Sequence, residues 1–345
     1  MKKNINFIKL NVKKPSLDAM VTAYSSGYAP TRQSVALACG VSEVTSGKVA
    51  NALIKSGIMC EKQYSVSGER PAFHLFFDDS VRVMLIDISS SVYSMGIFDA
   101  YGQCAFRETY NYDFELNFND NFTVFLSRSG LKAKRSGHAV SAICVMYSDV
   151  GQGSNPAYLN TQFYRANSSD KERIDGLVYS VFRKHPLCFF GISEAISSAM
   201  HLNVSKSSQF DNGTSYLFIG SYLSAMNLSR NRDPIVCNPQ KMILPDRIPC
   251  EDYFLSHPYS KDAADTLLAH FSLFLECAFN SGTIIVESDL YTFDYISVRR
   301  LGKLFAMCGS LPPITLTSNT YPSLSMLGAI RKTLLEIVRK YVVSV

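Results

Sequence analysis

Thr31-Arg32-Gln33-Ser34-Val35-Ala36-Leu37-Ala38-Cys39-Gly40-Val41-Ser42-Glu43-Val44-Thr45-Ser46-Gly47-Lys48-Val49-Ala50-Asn51-Ala52-Leu53-Ile54-Lys55-Ser56-Gly57 is the stretch on which the reading of this chain turns. Pro30-Thr31 predicts the start of a helix, Arg32 to Ala38, closed by Cys39-Gly40. Val41-Ser42 opens another, Glu43 to Lys55. Ser42 is its N-cap, because a hydroxyl there can accept an orphan backbone N–H, and Ser56-Gly57 ends it. Helix, glycine-containing turn, helix is the helix-turn-helix pattern. A helix from Leu17 to Tyr24 precedes it, with Ser16 as cap and Leu17, Met20 and Val21 on one side. Ile58 to Val66 and Ala72 to Phe77, around Ser67-Gly68-Glu69-Arg70-Pro71, predict a hairpin, the wing of a winged helix. Two residues fit poorly. Ser46 sits where an apolar side chain would pack better, and Gly47 costs its helix about 1 kcal/mol.

On the last helix Val49, Ala50 and Leu53 share a face to bury, and Glu43, Val44, Gly47, Lys48 and Asn51 share the opposite one. That face suits a major groove, where a lysine reaches phosphate or guanine and an asparagine reaches an adenine edge. The candidate DNA contacts are Arg32 and Ser42 on phosphates, Glu43, Lys48 and Asn51 at base edges with Thr45 beside them, and Arg70 of the wing tip in a minor groove. Charge agrees. Residues 1–70 hold 10 Lys and Arg against 4 Asp and Glu, whereas the other 275 hold 24 against 25. The basic excess is local, as expected of an anion-binding module joined to a neutral body. A three-helix cap with a solvated basic face is the bland alternative.

The 345 residues, 47% hydrophobic and 18% charged, supply a real core for two or three domains and exclude disordered, collagenous and coiled-coil chains. The nine cysteines are scattered with no Cys-x-x-Cys, which points to reduced thiols in a cytoplasmic protein without a zinc site. Met1-Lys2-Lys3-Asn4 lacks the apolar run of a signal peptide. Leu267 to Val286 is interrupted by His270, Glu276, Asn280 and Gly282, so a buried helix and strand are expected there, not a bilayer span.

From Val81 the pattern changes. Strands are expected at Val81–Ile88, Val92–Asp99, Cys104–Thr109 and Val140–Tyr147, with helices near Phe122–Ala133 and Arg173–Arg183. Residues 148–170 read as polar loop. A strand Leu187–Phe190 and a helix Glu194–His201 follow. The strand motif then repeats at Ser215–Ile219 and Leu223–Leu228. A helix Ala263–Phe279, strands Thr283–Glu287 and Ile314–Thr317, and a last helix from Ser325 to about Val343 complete the chain. Strands and helices alternating twice over predict two α/β lobes.

A winged helix before such a duplicated body resembles the transcriptional-regulator branch of the ROK family (repressors, open reading frames and sugar kinases). The resemblance rests on Thr31-Arg32, Val41-Ser42-Glu43-Val44-Thr45 and Gly68-Glu69-Arg70-Pro71 in the head. In the body it rests on Leu85-Ile86-Asp87-Ile88, Ser193-Glu194-Ala195 with Ser197-Ser198-Ala199, Phe218-Ile219-Gly220, and Leu327-Gly328-Ala329. It implies an α/β fold: an N-terminal winged helix-turn-helix, residues 1–77, then a two-lobed actin-like, ribonuclease-H-like body of the sugar-kinase type. The small lobe is expected at 78–195 plus 325–345 and the large lobe at 196–324. Implied partners are double-stranded DNA carrying an inverted repeat, a second copy or more of the chain as homodimer or homotetramer, and a sugar or sugar-phosphate effector. The effector cleft has Asp87, Ser193, Glu194 and Gly220 as candidates. No membrane partner is implied.

The kinase parts of that family depart here. Actin-like kinases cradle ATP phosphates on glycine-rich turns, because only glycine lets backbone N–H groups approach closely. Asp87-Ile88-Ser89-Ser90-Ser91 has no glycine, Gly220-Ser221-Tyr222-Leu223-Ser224 has one, and Glu287-Ser288-Asp289 puts negative charge where a nucleotide would sit. Glu194 stands at the place of the family's catalytic Asp, and Ser193 at that of its sugar-binding Asn. The family's zinc segment should fall at 229–260, where Cys237, Cys250 and His257 do not make a tetrahedral set. The expectation is a regulator, of the repressor kind, with no cofactor, no metal and no catalysis. An active sugar kinase with a regulatory head and a protein-interaction module remain the alternatives.

Overall fold

The computed structural model of the chain describes residues 5–25, 30–64, 71–89, 92–113, 115–147, 171–204, 214–219, 223–228, 235–237, 260–279, 283–288, 314–316 and 322–344. A short strand, β1 (Ile8–Leu10), leads into three helices, α1 (Lys14–Tyr24), α2 (Arg32–Cys39) and α3 (Glu43–Ser56). The antiparallel pair β2 (Met59–Tyr64) and β3 (Ala72–Phe77) follows, with Met59 opposite Phe77 and Tyr64 opposite Ala72. This is the element order expected of a winged helix. The first helix begins earlier than expected: its N-cap is Lys13, not Ser16, and Pro15 lies in its first turn, where a missing N–H costs nothing.

The body contains the same strand order twice. In the first sheet β4 (Val83–Asp87) is central in the order β6-β5-β4-β7-β8, with β5 (Val92–Phe98), β6 (Cys104–Asn111), β7 (Ala142–Tyr147) and β8 (Cys188–Gly191). The second sheet runs β11-β10-β9-β12-β13, from β9 (Thr214–Ile219), β10 (Leu223–Leu228), β11 (Ile235–Cys237), β12 (Thr283–Glu287) and β13 (Ile314–Leu316). In each, the first strands form an antiparallel meander and the last two run parallel to the founding strand. Central strand β4 is buried at all five residues, which explains its unbroken apolar run. One face of the first sheet carries α4 (Phe118–Arg135) and α5 (Lys171–Phe182), over Tyr93, Phe122, Phe125, Ile143 and Val178.

The other face carries α8 (Leu324–Tyr341), which buries Met326, Ala329, Ile330, Leu334, Ile337 and Val338 at three- and four-residue spacing. That helix also packs against α6 (Ile192–Val204), which itself lies on Tyr216, Phe218 and Ile285 of the second sheet. Helix α7 (Lys261–Phe279) packs on the second sheet through β9 and β10. The approach of α8 to α6 is so close that a Cβ at Gly328 would run into the carbonyl oxygen of Ala195. Gly102, in the turn between β5 and β6, has φ +84°, and a Cβ there would strike the Leu327 side chain.

Three short strands are absent from the sequence expectation: β1, β11 and β14 (Val342–Ser344). The last was expected as the end of the final helix, which instead stops at Tyr341. Strand β14 pairs in parallel with β1, Ile8 beside Val342 and Leu10 beside Ser344, and the Ser344 hydroxyl donates to the Val12 carbonyl at 2.6 Å. The first and last described strands are thus tied together. One apolar core continues from Leu17, Met20, Tyr24, Val49 and Leu53 of the head, through Phe77 and Val81, to Leu85, Ile330, Ile337 and Val338. No helix of the described residues is long and apolar enough to cross a membrane.

Candidate nucleic-acid interface

Both helices of the central motif are closed by their own side chains. Thr31 and Ser34 exchange hydrogen bonds at 3.0 Å in a capping box at the start of α2, and Gly40 at φ 62° ends it. Ser42 accepts from the Thr45 N–H at 3.2 Å and its hydroxyl lies 2.9 Å from that of Thr45. Gly57 at φ 79° closes α3. The Ser42 oxygen expected on a phosphate is therefore also the cap of α3.

Ser46 proves to be the fastening between the helices. It is fully buried, its hydroxyl donates to the Arg32 carbonyl at 2.8 Å, and the Tyr24 hydroxyl lies 2.5 Å from it. Burial pushes the Tyr24 phenol above its ordinary pKa, which keeps the group neutral in this knot. An apolar residue at position 46 would fill the space and leave Tyr24 without that partner.

On the outer side of α3, Ser42, Glu43, Val44, Lys48, Asn51 and Lys55 are exposed. Val44 is 70% and Leu37 of α2 is 78% exposed, so this face offers apolar as well as polar contacts. Beside the first turns of α3 lies a hollow of about 290 Å³, lined by Asn11, Lys13, Ser16, Ser42, Thr45 and Lys48, with Val12 and Val41. Two ammonium groups, hydroxyls and a helix N-terminus converge there, the chemistry of an anion seat. Lys13, Asn11 and Ser16 were not among the expected contacts; the signal for them was the excess of lysines before the first helix.

Arg32 is placed differently from the expectation. Its Nε donates to Glu61 Oε1 at 3.0 Å, and its Nη2 to Glu61 Oε2 at 3.2 Å and to Asn51 Oδ1 at 3.0 Å. The guanidinium is thus held by a carboxylate on β2 while its side chain stays partly exposed. Gly47 lies under this group; a Cβ there would be 3.9 Å from Arg32 Nη1. Arg70 of the wing tip lies outside the described residues.

In the body two of the expected cleft residues, Asp87 and Glu194, have partners within the chain. Asp87 is buried at the end of β4, and its Oδ1 accepts from the Ser89 N–H at 2.9 Å. Glu194, in the first turn of α6, is ion-paired with Lys332 of α8, whose ammonium also lies 4.9 Å from the centre of the Phe190 ring. Glu287, whose charge was expected to stand where a nucleotide would sit, is buried instead. Its Oε2 accepts from the Tyr216 hydroxyl at 2.6 Å, and its Oε1 from the Leu324 N–H, at the start of α8, at 2.9 Å. The side chain of Ser193, all of Gly220, the turns at 90–91 and 220–222, the loop at 148–170 and most of the 229–260 segment lie outside the described residues.

The fold has counterparts among solved structures. One is described as a ROK family transcriptional regulator, a homologue of the E. coli MLC protein. It aligns with a TM-score of 0.59 at 12% identity over 93% of this chain and 96% of that one. A ROK family protein from Streptococcus pneumoniae in complex with sucrose aligns at 0.48 and 12% identity, over 74% of this chain and 98% of that one. A ROK family glucokinase from Streptomyces griseus in complex with glucose and AMPPNP aligns at 0.47 and 12%, over 75% and 99%. No protein-family model and no curated protein sequence matches the chain. The first of these likenesses spans head and body together, and it shows a shared fold.

Proposed function

We propose that the chain is a DNA-binding transcriptional regulator, a repressor, whose winged head reads double-stranded DNA and whose sugar-kinase-type body serves assembly and effector binding without catalysis. The observation that carries this reading is the outer face of α3, where Glu43, Val44, Lys48 and Asn51 stand in solvent beside the Lys13–Lys48 hollow. A cap with no partner would need neither. Lys13, Lys48, Ser42 and Thr45 take the phosphate backbone at the helix N-terminus, Glu43, Val44 and Asn51 face base edges, and Arg70 serves the wing. Val44 is suited to a thymine methyl.

The body reading is supported by the Glu194–Lys332 pair, because a carboxylate occupied by an ammonium is not free to take a proton from a sugar hydroxyl. In this reading residues 78–195 with 325–345 form the small lobe and 196–324 the large one. A sugar or sugar phosphate enters between them near Asp87, Ser193, Glu194 and Gly220. Copies of the chain pair on an inverted repeat. Fluorescence anisotropy of the full chain on duplexes enriched from a random pool, against unselected duplex at physiological salt, tests the DNA reading. Equal affinity for both would refute it.

A further inference from the structure

The contact among Arg32, Glu61 and Asn51 has a consequence for which base α3 can read. An arginine carries donors and no acceptor, so the Asn51 amide atom facing Arg32 Nη2 at 3.0 Å is the oxygen. The Asn51 NH2 is then the end left to the outer face, where the residue is exposed. An asparagine that reads adenine needs both ends at once: its oxygen accepts from the adenine N6 amino group while its nitrogen donates to N7. Here the oxygen is engaged by a cationic donor, and the guanidinium beside it contributes more N–H groups. The edge presented is all donors. The base whose major-groove edge is all acceptors is guanine, through N7 and O6.

Glu61 fixes this arrangement. It holds the guanidinium by two hydrogen bonds, at 3.0 and 3.2 Å, from the first strand of the hairpin. Arg32 itself is anchored at its backbone by the buried Ser46 hydroxyl. Gly47 lies beside the guanidinium, with room at that position for an ordinary contact. Strand, helix and helix therefore meet at one amide.

We propose that Arg32 and Glu61 are positioning residues that lock Asn51 as a donor, so that α3 selects guanine, and rejects adenine, at the base pair Asn51 faces. This rests on the DNA-binding function proposed above. Selection of duplexes from a random pool by the full-length protein tests it, with Asn51→Ala, Glu61→Ala and Glu61→Gln run in parallel and the fold of each checked by circular dichroism. The wild type is expected to enrich guanine over adenine by about tenfold or more at one position, and Asn51→Ala to flatten that position alone. Glu61→Ala frees Arg32 and lets the amide turn, so adenine rises there while the other positions keep their preferences. A merely structural Glu61 would weaken all positions together. Glu61→Gln retains the shape and loses the charge, and is expected to fall between. Adenine at the Asn51 position in the wild type, or an Asn51→Ala variant with an unchanged profile, overturns the donor lock and leaves the DNA-binding reading standing. A wild type that enriches no sequence overturns both.

Discussion

The head and the body treat their polar residues in opposite ways. On α3 the buried Ser46 is tied to the Arg32 carbonyl and the N-cap Ser42 to the Thr45 N–H, while Glu43, Lys48 and the amide nitrogen of Asn51 stand at the surface. In the body three carboxylates have partners within the chain: Asp87 in the turn after β4 and Glu194 on Lys332, both expected at a cleft, and Glu287 on Tyr216 and the first turn of α8. A group held by its own chain lends rigidity, and a ligand that uses it must share or displace that partner. The two regions share one core, and in the proposed function the head meets DNA while the body supplies the frame and the effector cleft.

The frame can be broken most directly at Gly328. Gly328→Val forces side-chain atoms into the Ala195 carbonyl, and neither helix can retreat without opening the core that α8 shares with the head. Destabilisation of about 3 kcal/mol is expected, at the upper end for overpacking, read as a lowered urea midpoint. Because the core is continuous, tyrosine fluorescence and DNA binding should be lost in one transition. Two separate transitions would show that head and body fold independently.

A second break is alkaline. Burial pushes the Cys188 thiol from its ordinary 9.0 up to about 11, and burial also raises its neighbour Cys144 on β7, which pairs with it across the sheet. The folded thiol keeps its proton at a pH where the unfolded chain has lost it. Its contribution is therefore whole below pH ~9 and drains as pH rises toward 11, by about 2–3 kcal/mol for two pKa units. Cys188→Ala should flatten that part of the stability profile, at some cost in packing. An unchanged alkaline slope would refute the assignment.

On the head the expected losses are in binding and not in stability. Lys48→Glu and Lys13→Glu are expected to lower DNA affinity about tenfold each at moderate salt. They should also reduce the slope of log affinity against log salt by about 1 for each phosphate no longer neutralised. Their melting temperatures should stay within a degree or two of the wild type, since both side chains are exposed. The mirror experiment is Lys332→Met, which removes the ammonium from Glu194. The pair is partly exposed, 27% at Lys332 and 48% at Glu194, so stability should change by less than about 1 kcal/mol. ATP turnover with a hexose panel should stay at background. Turnover appearing in that variant would mean that the body is a kinase held off by one lysine.

What the sequence reveals and what it hides follows from the range of each signal. The capped helices of the head are readable almost to the residue, because Thr31, Ser42, Gly40 and Gly57 act on their own neighbours. The duplicated sheets are readable from apolar runs. Strands β1, β11 and β14 are not, since three residues carry no period and the β1–β14 pair joins segments more than 300 residues apart, as the Ser344–Val12 separation of 332 shows. The inward turn of Glu287 is hidden for the same reason: its partners Tyr216 and Leu324 are distant in sequence, and a carboxylate at a strand end reads the same whether it faces a cleft or a helix start. Ser46 looks like a flaw in the sequence because Tyr24, its partner, lies on another helix.

Gly47 gives the smallest effect and the finest distinction between frame and contact. Glycine in mid-helix costs about 1 kcal/mol relative to alanine, and a methyl at this position would make only an ordinary contact, 3.9 Å from Arg32 Nη1. Gly47→Ala is therefore expected to raise stability by about 0.5–1 kcal/mol, measured by urea denaturation. The hydrogen bonds of Arg32 to Glu61 and Asn51 involve Nε and Nη2, not Nη1, so the clasp and the base preference at the Asn51 position should survive. If stability rises as expected while affinity for every duplex falls, the glycine is there so that α3 can approach the groove closely. If stability falls instead, the guanidinium needs more room than one methyl leaves it, and the clasp belongs to the frame as much as to the contact surface.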